Sequence, residues 1–225
     1  MGDFSNHETA HGTAIDPHPW NVVSTQLNGL PRRTATIQLC EVAVTDASEL
    51  LIARPSAGAK APDPVRARLE REHGDMPCGG CAADIDGVTL IALSADRYLA
   101  LSFDAAGTRN ADGPDDLAAW VDATFGADVV RVPHADARFV VRLAGEDARA
   151  VLARGCGIDV HARAFAVGTA ASTAFGHIPL TLWRLTDDDG DPAFCLATPR
   201  SYCGAFVHDL TVAIDAIDAS ASARA

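Results

Sequence analysis

The side chains best equipped for chemistry lie between His73 and Cys81, where Met76-Pro-Cys78-Gly-Gly-Cys81 sets two thiols at a Cys-x-x-Cys spacing. Thiolates so spaced supply half of a tetrahedral zinc site or form a redox dithiol. Zinc needs two further ligands. His73 and Cys40 are the nearest candidates along the chain, and no second Cys-x-x-Cys follows. A thioredoxin-type dithiol opens a long helix after a strand, whereas Ala-Ala-Asp-Ile-Asp-Gly87 leads into another strand. The pair therefore reads first as a glycine-rich turn with small buried thiols. A zinc or redox protein using Cys78 and Cys81 stands as the alternative.

Other reactive side chains lack partners at useful spacing. His7, His11 and His18 are irregularly placed, which disfavours a metal site. His161 and His177 fall in loops with no nucleophile beside them. Asp159 reads as a turn or cap residue. The acidic run Thr186–Pro192 lacks the spaced ligands and distal Glu of a calcium loop and reads as a solvated hairpin tip. Gly-x-Gly-x-x-Gly after a strand, a phosphate loop ending Gly-Lys-Ser/Thr, and Gly-x-Ser-x-Gly are all absent.

The elements that would position these residues are legible from periodicity. Glu146 and Asp147 begin a short helix whose apolar stripe is Ala148, Val151 and Leu152, with Gly155 as a left-handed stop. Strands are expected over Thr36–Val44, Val88–Ser94, Arg97–Phe103, Ala127–Pro133, Arg138–Leu143, Gly168–Phe175, Ile178–Leu185 and Ala193–Ala197. Asp63-Pro64 opens a helix to His73, and Pro114-Asp-Asp116 opens another carrying Leu117, Trp120, Val121 and Phe125. A final helix aligns Tyr202, Phe206, Leu210, Ile214 and Ile217 on one stripe. Hairpins interleaved with a few helices predict an α+β chain of antiparallel sheets with packed helices, in two related lobes of about 36–135 and 136–217. Residues 1–35 read as a flexible or partner-ordered arm, and 218–225 as a frayed tail.

Composition narrows the class. Hydrophobic residues make up 48% and charged residues 21%, as in globular domains. A net charge of −12 with a single lysine, Lys60, disfavours nucleic acid and anionic lipid as partners. No apolar run approaches the ~20 residues of a membrane span. No secretory signal is visible, and six cysteines are too few for a disulfide scaffold, so a reducing, cytoplasmic setting is expected.

Gly145-x-x-Ala148-x-x-Val151-Leu152, followed by Gly155-Cys156-x-Ile158-Asp159, Phe165-x-x-Gly168 and Arg200-Ser201-Tyr202, resembles the γ subunit of heterotetrameric sarcosine oxidase. Leu93-Ser94-x-Asp96-Arg97-Tyr98-Leu99 is similar to a hairpin of that family, and the resemblance spans about 88–217. It implies the fold of the glycine-cleavage T-protein folate-binding module. It also implies a structural role with no catalytic, cofactor or metal residue on this chain. Partner α, β and δ subunits would hold FAD, FMN, NAD, tetrahydrofolate and zinc. The complex would demethylate sarcosine oxidatively to glycine and pass the one-carbon unit to tetrahydrofolate. A related N-methylglutamate dehydrogenase has a similar subunit, which leaves the substrate open. A stand-alone folate-binding protein is a further alternative, although the Lys-Gly-Cys-Tyr-x-Gly-Gln motif of one relative appears only as Arg154-Gly155-Cys156-Gly157. A scaffolding role needs aromatic and arginine anchors at an interface, for which Arg97-Tyr98, Trp183-Arg184, Arg200 and Tyr202 are the candidates. Tyr202 reads equally as core.

Overall fold

The computed structural model describes residues 30–53, 63–74, 80–103, 114–134, 137–187 and 189–223. Its elements in order are β1 (Arg32–Arg33), β2 (Gln38–Val42), β3 (Val44–Ile52), α1 (Pro64–His73), β4 (Ala82–Ile85), β5 (Val88–Ser94), β6 (Arg97–Phe103), α2 (Leu117–Phe125), β7 (Val129–Pro133), β8 (Arg138–Ala144), α3 (Ala148–Gly155), β9 (Ala170–Phe175), β10 (Ile178–Arg184), β11 (Ala193–Pro199) and α4 (Cys203–Ser222). Two antiparallel sheets result, one ordered β1-β2-β8-β11-β10-β9 and the other β4-β5-β6-β3-β7. The architecture is α+β.

Strand alternation divides the apolar residues among three layers. Phe139, Val141, Leu143, Leu180, Leu182, Phe194 and Leu196 point from the six-stranded sheet onto α3 and α4, where they meet Val151, Leu152, Phe206 and Leu210. Leu50, Leu90, Tyr98 and Ala100 point from the five-stranded sheet onto α1 and α2, against Leu69, Val121 and Phe125. Intervening residues, among them Ile91, Leu99, Leu101, Val140, Trp183 and Cys195, form a third layer between the sheets. Both faces of most strands are covered, which is why the strands read as near-continuous apolar runs. The layers stack as helices, sheet, sheet, helices.

The strand orders expose an internal repeat. β3-α1-β4-β5-β6-α2-β7 has the same path as β8-α3-β9-β10-β11-α4, with β2 standing where a seventh element would be. β2 lies in the six-stranded sheet, paired with β8 from Gln38↔Ala144 to Val42↔Val140. The chain crosses to the other sheet at Ala43, so the expected division near 36–135 and 136–217 does not follow the sheets. The expected strand Thr36–Val44 is likewise two strands, and β3 continues to Ile52. Leu39 faces the helices while Val42 faces the other sheet, and that burial fixes the register.

Of the expected N-terminal arm, residues 1–29 lie outside the described residues, whereas Arg32 and Arg33 pair with Leu39 and Gln38. At the other end α4 runs through Ser222, past the point expected to fray. Its buried stripe is Phe206, Leu210 and Ile214, with Ile217 partly covered. Tyr202 is not on that stripe: it sits in a 3-10 turn before the helix, 42% exposed.

Close approaches explain several glycines. A Cβ on Gly80 would lie 2.0 Å from the Ala170 carbonyl oxygen, at the point where Cys81 bridges Thr169 and the two sheets join edge to edge. Gly155 ends α3 by admitting Phe175, whose ring would lie 2.6 Å from an added Cβ; the expected left-handed stop is not used. Gly145 has φ +122°, and its Cβ would sit 2.1 Å from the Thr36 carbonyl oxygen. There Thr36 Oγ1 donates to Asp147 Oδ2 at 2.8 Å, tying the start of α3 to the segment before β2. Gly145→Ala is expected to cost roughly 1–3 kcal/mol through backbone strain and overlap, read as a lowered urea midpoint.

Candidate functional site

The thiol and imidazole groups are held by the fold in ways that oppose reactivity. Cys81 is fully buried beside Val65, Leu69 and Tyr98, and burial pushes its thiol up from the usual range. His73 ends α1 and donates Nε2–H to the Asp84 carbonyl at 2.7 Å, which ties the helix to β4. Cys40 lies on β2 in the other sheet, facing Arg142, and its thiol too is raised by burial. Cys78 lies outside the described residues. Among the described residues no three His, Cys, Asp or Glu side chains converge on a metal-sized site. Burial alone pushes Cys156 up to about 11, and burial foremost pushes Cys195 up to about 12. Thiolate is the reactive form, so these groups are chemically quiet at neutral pH.

The six interface candidates divide sharply. Trp183 is 2% exposed and packs in the layer between the sheets, opposite Cys195. Arg184 is 4% exposed; its guanidinium donates to the Leu185 and Ala193 carbonyls at 2.8 Å each, pairs with Asp187 and lies 4.9 Å from the Phe194 ring centre. Tyr98 is 2% exposed and donates to Asp63 Oδ2 at 2.5 Å. Asp63 caps α1 through a 2.9 Å bond from Arg66 N, so Tyr98 locks that helix to its sheet. Burial, then the bond to Asp63, raises the Tyr98 phenol far above its usual range. These three side chains are therefore internal, and expecting them as surface anchors was incorrect. An aromatic beside an arginine has the same appearance in a core as at an interface.

Arg97, Arg200 and Tyr202 do reach the surface. Arg97 belongs to a charged seam where the two sheets meet. There Glu49 of β3, only 9% exposed, accepts from Arg97 Nη2 at 2.9 Å and from Arg138 Nη2 at 3.4 Å, with His134 Nε2 at 4.0 Å. Arg200 extends the seam, its Nη2 reaching the Arg138 carbonyl at 3.4 Å. The two guanidiniums engage both carboxylate oxygens of Glu49. The group binds β3, β6 and β8 into one corner. Glu49, His134 and Arg138 come from separate stretches with no motif between them, so the sequence offered no signal for the cluster.

His161 and His177 are exposed, and His161 Nδ1 accepts from Arg163 N at 3.3 Å. Asp159 Oδ1 accepts from His161 N at 2.8 Å, a local turn bond. In the acidic tip Asp187 pairs with Arg184, and Asp188 lies outside the described residues.

No protein-family model matches. Sarcosine oxidase subunit gamma of Corynebacterium sp. (strain P-1) is 32% identical over 145 residues, 64% of each chain. The subunit of the same name from Arthrobacter sp. is 33% identical over 107 residues, 47% of this chain and 48% of that one. The chain is similar to these sarcosine oxidase γ subunits over 64% and 47% of its length. Its match spans less than two thirds of the length of either relative. The likeness of fold extends further than the sequence match. A chain of the heterotetrameric sarcosine oxidase from Corynebacterium sp. U-96, solved with pyrrole 2-carboxylate, superposes with a TM-score of 0.63 over 88% of this chain and 93% of that one, at 22% identity. No described helix is long and apolar enough to cross a membrane.

The raised thiols give the protein an alkaline liability. A thiol held above its unfolded value keeps its proton in the folded state after the unfolded chain has lost it. The stabilisation is present below pH 9 and is lost as pH climbs toward the folded values of about 11 and 12. Denaturant midpoints are expected to fall across that window, less steeply in Cys195→Ala. Native Cys195 should resist alkylation at pH 8, and rapid labelling would contradict its placement.

Proposed function

We propose that this chain is the structural γ subunit of a heterotetrameric sarcosine oxidase, contributing shape and contact surface to subunits that perform the chemistry. The observation that carries this reading is the similarity to γ subunits along 145 residues, joined to a likeness of fold over 88% of the chain. The internal commitments of Tyr98, Trp183 and Arg184 support it, since each is engaged in holding the body together. In this reading the body is of the T-protein folate-module kind and works in the cytoplasm, where its unpaired cysteines stay reduced. The α, β and δ partners hold FAD, FMN, NAD, tetrahydrofolate and zinc, and together demethylate sarcosine to glycine with the one-carbon unit passing to tetrahydrofolate.

Co-expression with candidate α, β and δ subunits tests the proposal directly. The tagged chain is expected to recover a stoichiometric flavin-containing complex that consumes oxygen on addition of sarcosine, while the chain alone consumes none. Sarcosine turnover by the chain alone, or failure to recover any flavoprotein subunit, would refute it.

A further inference from the structure

β7 is an edge strand, with β3 on one side and no described strand on the other. His134 N donates to the Ala47 carbonyl and Ala53 N donates to the Asp128 carbonyl, which sets the phase of the β3–β7 ladder. Alternation then places the exchanged bonds at Glu49↔Val132 and Leu51↔Val130, leaving the N–H and C=O of Arg131 directed at the open edge. On the face turned toward the other sheet, Val130 is 54% and Val132 37% exposed. They are the only two large exposed apolar side chains among the described residues that share one strand face. Beside them lies the seam of Arg97, Arg138 and His134, where two guanidiniums share the single carboxylate of Glu49 and the Arg97 side chain is 47% exposed. On a chain of net charge −12 this seam sets two guanidiniums around one carboxylate.

The internal repeat shows what such an edge accepts. β2 is the counterpart of β7, and its outer edge is filled by β1, where Arg32 pairs Leu39 and Arg33 pairs Gln38. The equivalent position beside β7 is unfilled among the described residues. No lysine or bulge guards this edge, and Pro133 blocks only its last position.

We infer that the open edge of β7 receives an extended segment of a partner subunit, which adds a strand to the five-stranded sheet. Apolar side chains of that segment cover Val130 and Val132, and a carboxylate meets the Arg97–Arg138 seam. Backbone pairing supplies the register and alternate side chains supply the selectivity. A second copy of this chain is the poorer occupant, because it would bring another −12 to the same surface. The inference rests on the subunit reading above, since that reading supplies the partner.

Amide hydrogen exchange on the assembled complex and on the free chain reads the pairing. Exchange at Arg131 N–H is expected to slow at least about tenfold on assembly, as for a newly bonded amide. Arg131→Pro removes the outward donor at a position where an edge strand tolerates proline, so the free chain should keep its melting temperature. Its affinity for the partner should fall at least about tenfold, while Arg131→Ala, which keeps the N–H, assembles normally. Val130→Lys tests the side-chain contact independently and should weaken assembly without unfolding the free chain. Assembly with unchanged exchange at Arg131, or equal assembly of Arg131→Pro and the wild type, overturns strand addition while leaving the subunit reading intact. Concentration-dependent protection of Arg131 in the isolated chain assigns the edge to a second copy and overturns the partner proposal. Failure to assemble with any subunit refutes the function itself.

Discussion

Trp183, Cys195 and Ala197 from one sheet meet Ile91, Leu99, Leu101 and Phe103 from the other, and the rest of the molecule depends on this shared apolar layer. A sheet covered on one face by helices still exposes its second face. Here each sheet covers that face with the other, so neither repeat is complete alone. The edge junction at Gly80 and Ala170, where no side chain fits, brings the sheets close enough for continuous packing. Trp183, the largest fully buried side chain among the described residues, fills this layer.

Exchange of a strand reinforces the union. β2 precedes the first repeat in the chain yet completes the sheet of the second, and the crossing takes a single residue, Ala43. Excising the first half would take β2 from the second sheet, and excising the second would leave β2 without β8. The charged seam has a comparable role in polar form. Glu49 is nearly buried, which is costly for a carboxylate, and Arg97 and Arg138 from two further strands offset that cost. Removing one partner would leave charge uncompensated at the corner where the sheets meet.

This construction explains why residues of chemical appearance are quiet. A fold that packs two sheets and two helix layers into a short chain uses its polar side chains as fasteners. Tyr98 holds the cap of α1, His73 holds its end, and Arg184 closes the base of the β10–β11 hairpin through two carbonyls. Each was conspicuous in the sequence because the fold needs a long polar reach from a buried position. A similar demand arises in active sites and at interfaces, so residue type alone does not separate the roles.

The sequence by itself determined the elements with strong local signals. The Asp63-Pro64 and Asp116 caps, the Ala148–Val151–Leu152 stripe and the β5–β6 hairpin follow from periodicity and capping chemistry within a few residues. It also carried the resemblance to the γ subunits, through the glycine and apolar spacing around α3. Tertiary structure alone decided the pairing of β2 with β8, the burial of Trp183 and Arg184, the Glu49 seam and the open edge of β7. The physical reason is range. Caps and helix stripes are settled by neighbours a turn away, whereas strand order and the burial of an amphipathic side chain depend on partners far along the chain, as Gln38 on Ala144, whose arrival no local pattern records.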